Sequence, residues 1–345
     1  MNKYTNLSFI LLISSLCIGC TSCSNNASHA NKTTADTLAK TIWENPRKGK
    51  IWEKENVVHI PLTAYENHLL GPVKSVTYRE YELPGNGDSA KVLVDSGYNE
   101  YNQSGHLIVQ NEYDANKIPK IICSYKYDGK NNPTEWDLRL FDDNVNSKTT
   151  FTYDDKGNRL EEVTIDSNKE NSSKTIYKND NRGNEIEADI YNNLSNIKQI
   201  ITYKYDKRGF QVEYVEKSGP RIVNLKLQCS YDDKGNKTGG TDYSSDTTIA
   251  DKWTEKNDAM GRRIETDYFL PDDSLLEKRT IKYDEMGYPV EYNTYKPDGN
   301  LYEDKSYSYK NEYDKAGNII RQTEIRWNGG KRVPITYTEY EIVYY

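Results

Sequence analysis

One glycine position recurs along this chain at a spacing that leaves few folds open. Motifs on one skeleton stand at Tyr101 (YNQSGHLI), Tyr127 (YDGKNNPT), Tyr153 (YDDKGNRL), Asn179 (NDNRGNEI) and Tyr205 (YDKRGFQV). They continue at Tyr231 (YDDKGNKT), Asn257 (NDAMGRRI), Tyr283 (YDEMGYPV) and Tyr313 (YDKAGNII). Their pivots are Gly105, Asn131, Gly157, Gly183, Gly209, Gly235, Gly261, Gly287 and Gly317. Seven successive intervals are 26 residues and the last is 30. A fixed period of this length marks a repeat architecture. The one replacement for glycine is asparagine, the residue next best at tolerating positive φ, so the pivot is a backbone requirement of a hairpin turn.

The flanks of each turn read as strands. Apolar residues fall at the motif tyrosine and two places before it, as in Tyr125 with Tyr127 and Tyr203 with Tyr205. Beyond the turn they fall three and five places past the pivot, as in Ile186 with Ala188 and Val212 with Tyr214. Period two is the mark of a half-buried strand. For both sets to share a face, the tyrosine must oppose the residue three past the pivot (Leu160, Ile186, Val212, Ile264, Val290, Ile320). That requires a four-residue connection after the Asp, or a shorter turn with an extra bulge. Charge supports the register independently. It sets Lys126 against Glu135, Lys178 against Glu187, Lys204 against Glu213, Lys256 against Glu265 and Lys282 against Glu291. In the last motif both signs swap, Glu312 against Arg321, and at Ser230 and Gly239 both charges are gone; Thr152 with Glu161 is incomplete, and Glu100 with Val109 lacks the pattern. Paired exchange is what a cross-strand contact predicts.

These motifs resemble the YD repeats of the RHS family, whose signature is Tyr-Asp, two free residues and glycine. The resemblance runs from about Tyr101 to Ile320, and the branched residue three past the pivot departs from the family pattern. It implies repeats folded into long meandering sheets, which curl into shells in the largest members. The expected fold is therefore all-β: an antiparallel meander of about 18–20 strands, two per 26-residue unit, curled or spiral. The segments GPVKSVTYREYEL and ITYTEYEIVYY flank the array as further strands. No segment after Leu62 has a helical period, so no helix covers the apolar face. The face packs against itself by curling, or stays one layer whose long side chains cover each other. Exposed terminal strands would be open to pairing with other sheets. Cys123 and Cys229 lie eight strands apart, about 38 Å along a flat sheet, and read as two free, semi-buried thiols.

Ahead of the array, Lys3 precedes the apolar run LSFILLISSLCIG, which ends in CIGC. This resembles the lipobox of bacterial lipoproteins, with Cys17 departing from the usual leucine. The resemblance implies a signal peptide over 1–19 and lipidation at Cys20; Cys23 is an alternative, and an ordinary secretory signal another. Residues 20–56 then read as lipidated N-terminus and polar tether, with a weak helical segment at ADTLAKTIWEN, and 57–345 as the repeat domain. The chain is thus expected in the cell envelope, on the outer membrane, facing periplasm or surface.

Chemistry is sparse. With 46 Lys plus Arg against 53 Asp plus Glu, interspersed, no basic stripe suits nucleic acid. The recurrent motif Asp needs no metal, because an Asp opening a tight turn accepts bonds from the turn's own backbone; DDKGN at Asp154 and Asp232 lacks the acidic closing residue of a calcium loop. His29, His59, His68 and His106 form no ligand pattern, and His106 follows a turn glycine where solvent is expected. No nucleophile elbow, phosphate loop or dinucleotide fingerprint is present, so no enzyme, cofactor or metal is expected. Thirty tyrosines read chiefly as packing. Trp136, Trp253 and Trp327 are candidate ligand contacts on an open or concave face, suited to glycans or peptides. The second turn of each unit varies freely (DDNVN, NNLSN, EKSGP, LPDDS), which makes that edge the seat of any specificity. The functional expectation is a non-enzymatic, lipid-anchored binding or scaffold surface. The alternatives are a shell around a separately encoded partner and, last, an envelope hydrolase.

Overall fold

The computed structural model describes residues 69–84, 90–142, 144–167, 172–192, 195–219 and 222–345. The signal peptide, Cys20, the tether, residues 57–68 of the repeat domain, Cys17, Cys23, His29, His59 and His68 lie outside the described residues.

Twenty strands follow one another. They are β1 (Val73–Glu82), β2 (Val92–Tyr101), β3 (Leu107–Asp114), β4 (Pro119–Tyr127), β5 (Pro133–Leu140), β6 (Val145–Tyr153) and β7 (Arg159–Asp166). Next come β8 (Ser173–Asn179), β9 (Glu185–Asn192), β10 (Ser195–Tyr205), β11 (Gln211–Ser218), β12 (Ile222–Tyr231), β13 (Lys237–Tyr243) and β14 (Ile249–Asn257). The last are β15 (Arg263–Phe269), β16 (Leu275–Tyr283), β17 (Pro289–Tyr295), β18 (Tyr307–Tyr313), β19 (Ile319–Asn328) and β20 (Lys331–Tyr344). A short 3-10 turn at Glu303–Lys305 interrupts the hairpin before β18.

Each strand pairs antiparallel with its neighbours in sequence, and β1 pairs with both β2 and β20. Tyr78 opposes Gly97 on one side and Tyr340 on the other. The meander is therefore a closed barrel, not an open curl, and the terminal strands expected to be exposed are each other's partners. The ends are clasped as well. Tyr345 N–H donates to the Pro72 carbonyl (2.9 Å), and the Asn318 amide bonds both the Leu70 N–H and its carbonyl. Twenty strands spaced about 4.8 Å apart give a girth of about 96 Å, too wide for opposite walls to interlock when the section is round. Side chains accordingly cover neighbours on their own wall. One apolar cluster runs along β20 and β1–β6 (Val73, Tyr101, Leu107, Cys123, Tyr125, Trp136, Leu138) and another along β8–β11 (Tyr177, Ala188, Ile190, Ile201, Tyr203).

The nine motif turns form one rim, and ten variable hairpins form the other. At the nine pivots φ lies between 66° and 92°, the region that glycine and asparagine enter at least cost. In the turn opened by Asp154, Oδ1 accepts the N–H groups of Lys156 (2.9 Å) and Asn158 (2.8 Å), and Oδ2 accepts the Asn158 amide (2.7 Å). Those bonds hold the carboxylates of Asp128, Asp154 and Asp232 below their ordinary pKa.

All the charge pairs read from sequence are cross-strand partners, from Lys126 with Glu135 to Glu312 with Arg321, and Ser230 opposes Gly239. The tyrosine itself is shifted by one. Tyr153 opposes Arg159 and Tyr205 opposes Gln211, two past the pivot, with a bulge beside the tyrosine. Of the two turn geometries open at the sequence level, the shorter turn with a bulge is the one formed. The extra residue is the branched one three past the pivot, so it leaves the shared face, and Leu160 and Ile186 are exposed.

Candidate functional site

Strand pairing sorts the side chains into two faces. One continuous row is Tyr203, Tyr214, Leu227, Asp242 and Asp251 across β10–β14. The next is Cys229, Gly240, Trp253, Tyr268 and Glu277 across β12–β16. The same face holds the buried Tyr125, Trp136, Leu138, Tyr177, Ala188 and Ile281. The opposite face carries the Lys–Glu pairs, whose five lysines remain 56–72% exposed. Side chains converge on the concave side of a closed wall and splay on the convex side, so the aromatic face is the interior.

The motif tyrosines have a role beyond packing. The Tyr127 hydroxyl donates to the Leu107 carbonyl (2.6 Å), Tyr153 to Pro133 (2.7 Å) and Tyr205 to Glu185 (2.8 Å). Tyr231 and Tyr283 repeat the bond to Gln211 and Arg263 at 2.9 Å each. Each of these acceptors lies two residues past the pivot of the preceding motif turn, so each of these hairpins is tied to the one before it, whereas Tyr313 donates to the Asp284 carboxylate instead. At Asn179 and Asn257 the side-chain amide makes the same bond, 2.8 Å to Arg159 and Lys237. The signal was present in the sequence: the tyrosine is replaced only by another donor, never by phenylalanine.

The interior is also acidic, which sequence reading missed. Glu80 and Asp95 oppose each other on β1 and β2, with Glu112 on β3 beside them. Lys120 bonds Asp95 at 2.7 Å. Burial, then the Asp95 charge, pushes the carboxyls of Glu80 and Glu112 up. Tyr78, whose ring fills the space over Gly97, is pushed up by burial and then by Glu112 and Asp95. On β7–β9 the Arg159 guanidinium lies 3.4 Å from both Glu162 and Glu185 and 4.1 Å above the Tyr177 ring. Tyr177 O–H donates to Glu162 (2.9 Å). One cation is thus shared by two carboxylates, and burial raises both against its attraction. Asp242 and Asp251 face each other directly, and Asp242 is pushed up to about 6 by burial, then by the charge and hydrogen bond of Asp251. The clue was parity: Glu216 follows Tyr214 by two and Asp251 precedes Trp253 by two, so both share the aromatic face.

The three tryptophans do not converge. Trp136 is buried inside, stacked on Tyr125 with centroids 6.0 Å apart. Trp253 lies inside across Gly240, where a Cβ would sit 2.4 Å from the ring, and its indole N–H donates to Glu255 (3.2 Å). Trp327, opposite Arg332 in the last hairpin, is on the outer face with that guanidinium 5.2 Å above its ring. His106 is half-buried against the Tyr127 ring (5.1 Å), not in solvent as expected, because Tyr127 reaches back over the preceding turn. Cys123 and Cys229 are free thiols on the inner face, and burial pushes Cys123 up to about 11. Among the described residues no three His, Cys, Asp or Glu form a cluster able to hold a metal ion. A shallow cleft of about 530 Å³ lies where the charge ladder is broken, walled by Gln228, Ser230, Thr241, Lys252, Thr254 and Phe269 around Gly239.

No family model and no curated protein matches the chain. A porin-like protein from Bacteroides uniformis aligns over 79% of this chain and 97% of its own, at 11% identity and a TM-score of 0.34. A TcdB2–TccC3 structure without its hypervariable C-terminal region aligns over 77% of this chain and 16% of its own, at 13% identity and a TM-score of 0.35. A TcdB2–TccC3–Cdc42 structure aligns over 72% and 15%, at 12% identity and a TM-score of 0.25. At these scores neither fold nor function passes from those proteins to this chain.

Proposed function

We propose that the chain is a lipid-anchored protein of the cell envelope, built from YD-like repeats, whose barrel is a non-enzymatic binding scaffold. Its inner face receives a peptide or protein segment that carries positive charge. The observation that carries this reading is the inner face itself, where tyrosines and tryptophans alternate with Glu80, Glu112, Glu216, Asp242, Asp251 and Glu277. Aromatic faces and desolvated carboxylates together favour ammonium and guanidinium groups. The barrel stands in water and does not span the bilayer. Asp137, Lys148, Lys226, Asp267 and Lys278 stand mid-strand on the outer face, where a transmembrane barrel needs an apolar band and each lysine would cost about 2–4 kcal/mol. Closure of the ring also favours a second reading, a container for a separately encoded partner.

The test is binding of the full-length protein to cationic, neutral and anionic peptides of one length, followed against salt. Tight binding of the cationic set, weakened by salt and by Glu112→Gln with Asp242→Asn, is the expected result. Equal binding of all three sets, or none, refutes the cationic-ligand reading. Retention of one envelope protein in pull-downs without peptide binding would favour the container.

A further inference from the structure

We propose that the barrel wall opens laterally at one place, the joint between β17 and β18, which makes this joint a side gate to the interior. Register sets it apart. In the hairpins from β3–β4 to β15–β16, the residue four past each pivot faces the residue three before the next motif, as Val109 faces Ser124 and Glu265 faces Thr280. At this joint Glu291 faces Ser308, which stands five before Tyr313. β18 is therefore slid by two residues, roughly 7 Å, toward the motif rim. Tyr292 with Tyr307 is the only other pair that β17 and β18 hold in register. β15 and β16, by contrast, stay paired from Glu265 with Thr280 to Phe269 with Leu275. Among the described residues the next shortest ladder, β7 with β8, still runs from Glu161 with Ile176 to Thr164 with Ser173.

The four residues added to this repeat account for the slip. Tyr295 faces Leu301 as Phe269 faces Leu275, so the hairpin tip keeps the pattern of its neighbour. The chain then leaves the strand through Glu303–Lys305 and rejoins it at Tyr307. Side chains take over where the ladder stops. Thr294 N–H donates to Ser306 Oγ (3.0 Å), and Ser306 O–H donates to the Tyr302 carbonyl (2.7 Å). Ser306 is 1% exposed, so water reaches neither bond while the joint is shut. Lys305 reaches Glu277 on the inner face of β16 (2.7 Å). At the motif rim, Tyr313 donates to the Asp284 carboxylate instead of the Pro289 carbonyl that the repeat pattern would offer. Tyr288 O–H donates to the Gly317 carbonyl (3.2 Å). Local opening takes place where the fewest buried backbone bonds must break. β17 remains paired with β16 and β18 with β19, so release of this joint splits the ring and leaves the neighbouring ladders intact. The excursion at 302–306 supplies the slack of a hinge, and the two motif-rim bonds are the latch.

The gate does not depend on what the interior binds. It is tested by hydrogen exchange on the full-length protein, read residue by residue. The amides of 289–295 and 307–313 that face the joint should exchange at one shared rate. That rate should be at least tenfold faster than for the amides between β15 and β16, since each net hydrogen bond lost shifts an opening equilibrium about fivefold. Ser306→Ala should quicken the joint a further tenfold or so and leave β15–β16 unchanged. Glu291→Cys with Ser308→Cys places two thiols directly opposite each other, within disulfide range. Oxidation should slow the joint to the rate of β15–β16, and reduction should restore it. Exchange no faster than in β15–β16, or a faster joint elsewhere in the ring, would overturn the proposal. So would a disulfide that fails to form, one that forms without slowing the joint, or a Ser306→Ala variant that quickens every strand equally.

Discussion

Replacing Tyr205 by phenylalanine removes one hydroxyl and leaves the ring in place, which isolates the tie between successive hairpins. The hydroxyl donates to the Glu185 carbonyl at 2.8 Å in a half-buried site. A net hydrogen bond of this kind is worth about 1 kcal/mol, and the stranded acceptor raises the cost to about 1–2 kcal/mol. The matched control is Tyr214→Phe, whose hydroxyl reaches only Glu216 at 3.5 Å and should cost under about 0.5 kcal/mol. Substituting Tyr127, Tyr153, Tyr205, Tyr231 and Tyr283 together should cost about 5–10 kcal/mol, because ties two strands apart are close to additive. At roughly 2–4 °C per kcal/mol, that is a melting temperature lower by about 10–40 °C. Urea titration of the single variants, with hydrogen exchange of the Gly183 hairpin, gives both the global and the local cost. A Tyr205→Phe variant as stable as its parent within about 0.3 kcal/mol would show that the tyrosines only pack, and the account of the motif would fail.

The Asp242–Asp251 pair makes stability depend on pH. Asp242 titrates near 6 when folded against an ordinary 3.8, so folding favours its protonated form; the contribution is full below 3.8, is lost as pH rises toward 6, and is flat above. A difference of that size corresponds to about 3 kcal/mol, screened to about 1–2 kcal/mol for a half-exposed group, and Asp242→Asn should flatten the profile of unfolding midpoint against pH. Gly157→Ala, at φ 88°, should cost about 1–2 kcal/mol, whereas Asn131→Gly should cost nothing by urea titration. Lys204→Glu and Glu213→Lys should each cost up to about 1 kcal/mol and recover in the double variant, since the pair meets at 2.6 Å with the lysine exposed; no coupling in the cycle would contradict the contact.

Local pattern fixed the nine motif hairpins because each determinant lies within about ten residues of the turn it serves. Pivot glycines, motif aspartates and Lys–Glu pairs act across a single turn, so the sequence alone established strand direction, turn position and the register of the charge pairs. It left the turn itself open between two geometries, because a bulge and a longer loop place the same apolar residues at the same distances. The structure forms the bulge, and with it Leu160 and Ile186 stand exposed to solvent. Closure was not legible either. The pairing of β1 with β20 joins residues more than 250 positions apart, as Tyr78 with Tyr340 does, and both flanks read as ordinary strands with no mark of their partner. Only the accumulated curvature of twenty strands brings those edges together. Closure then gives the two faces unequal surroundings, concave and convex. An alternation of aromatic with acidic residues, neutral in the flat pattern, thereby became an interior with carboxyls raised by burial, and the variable loops became one rim.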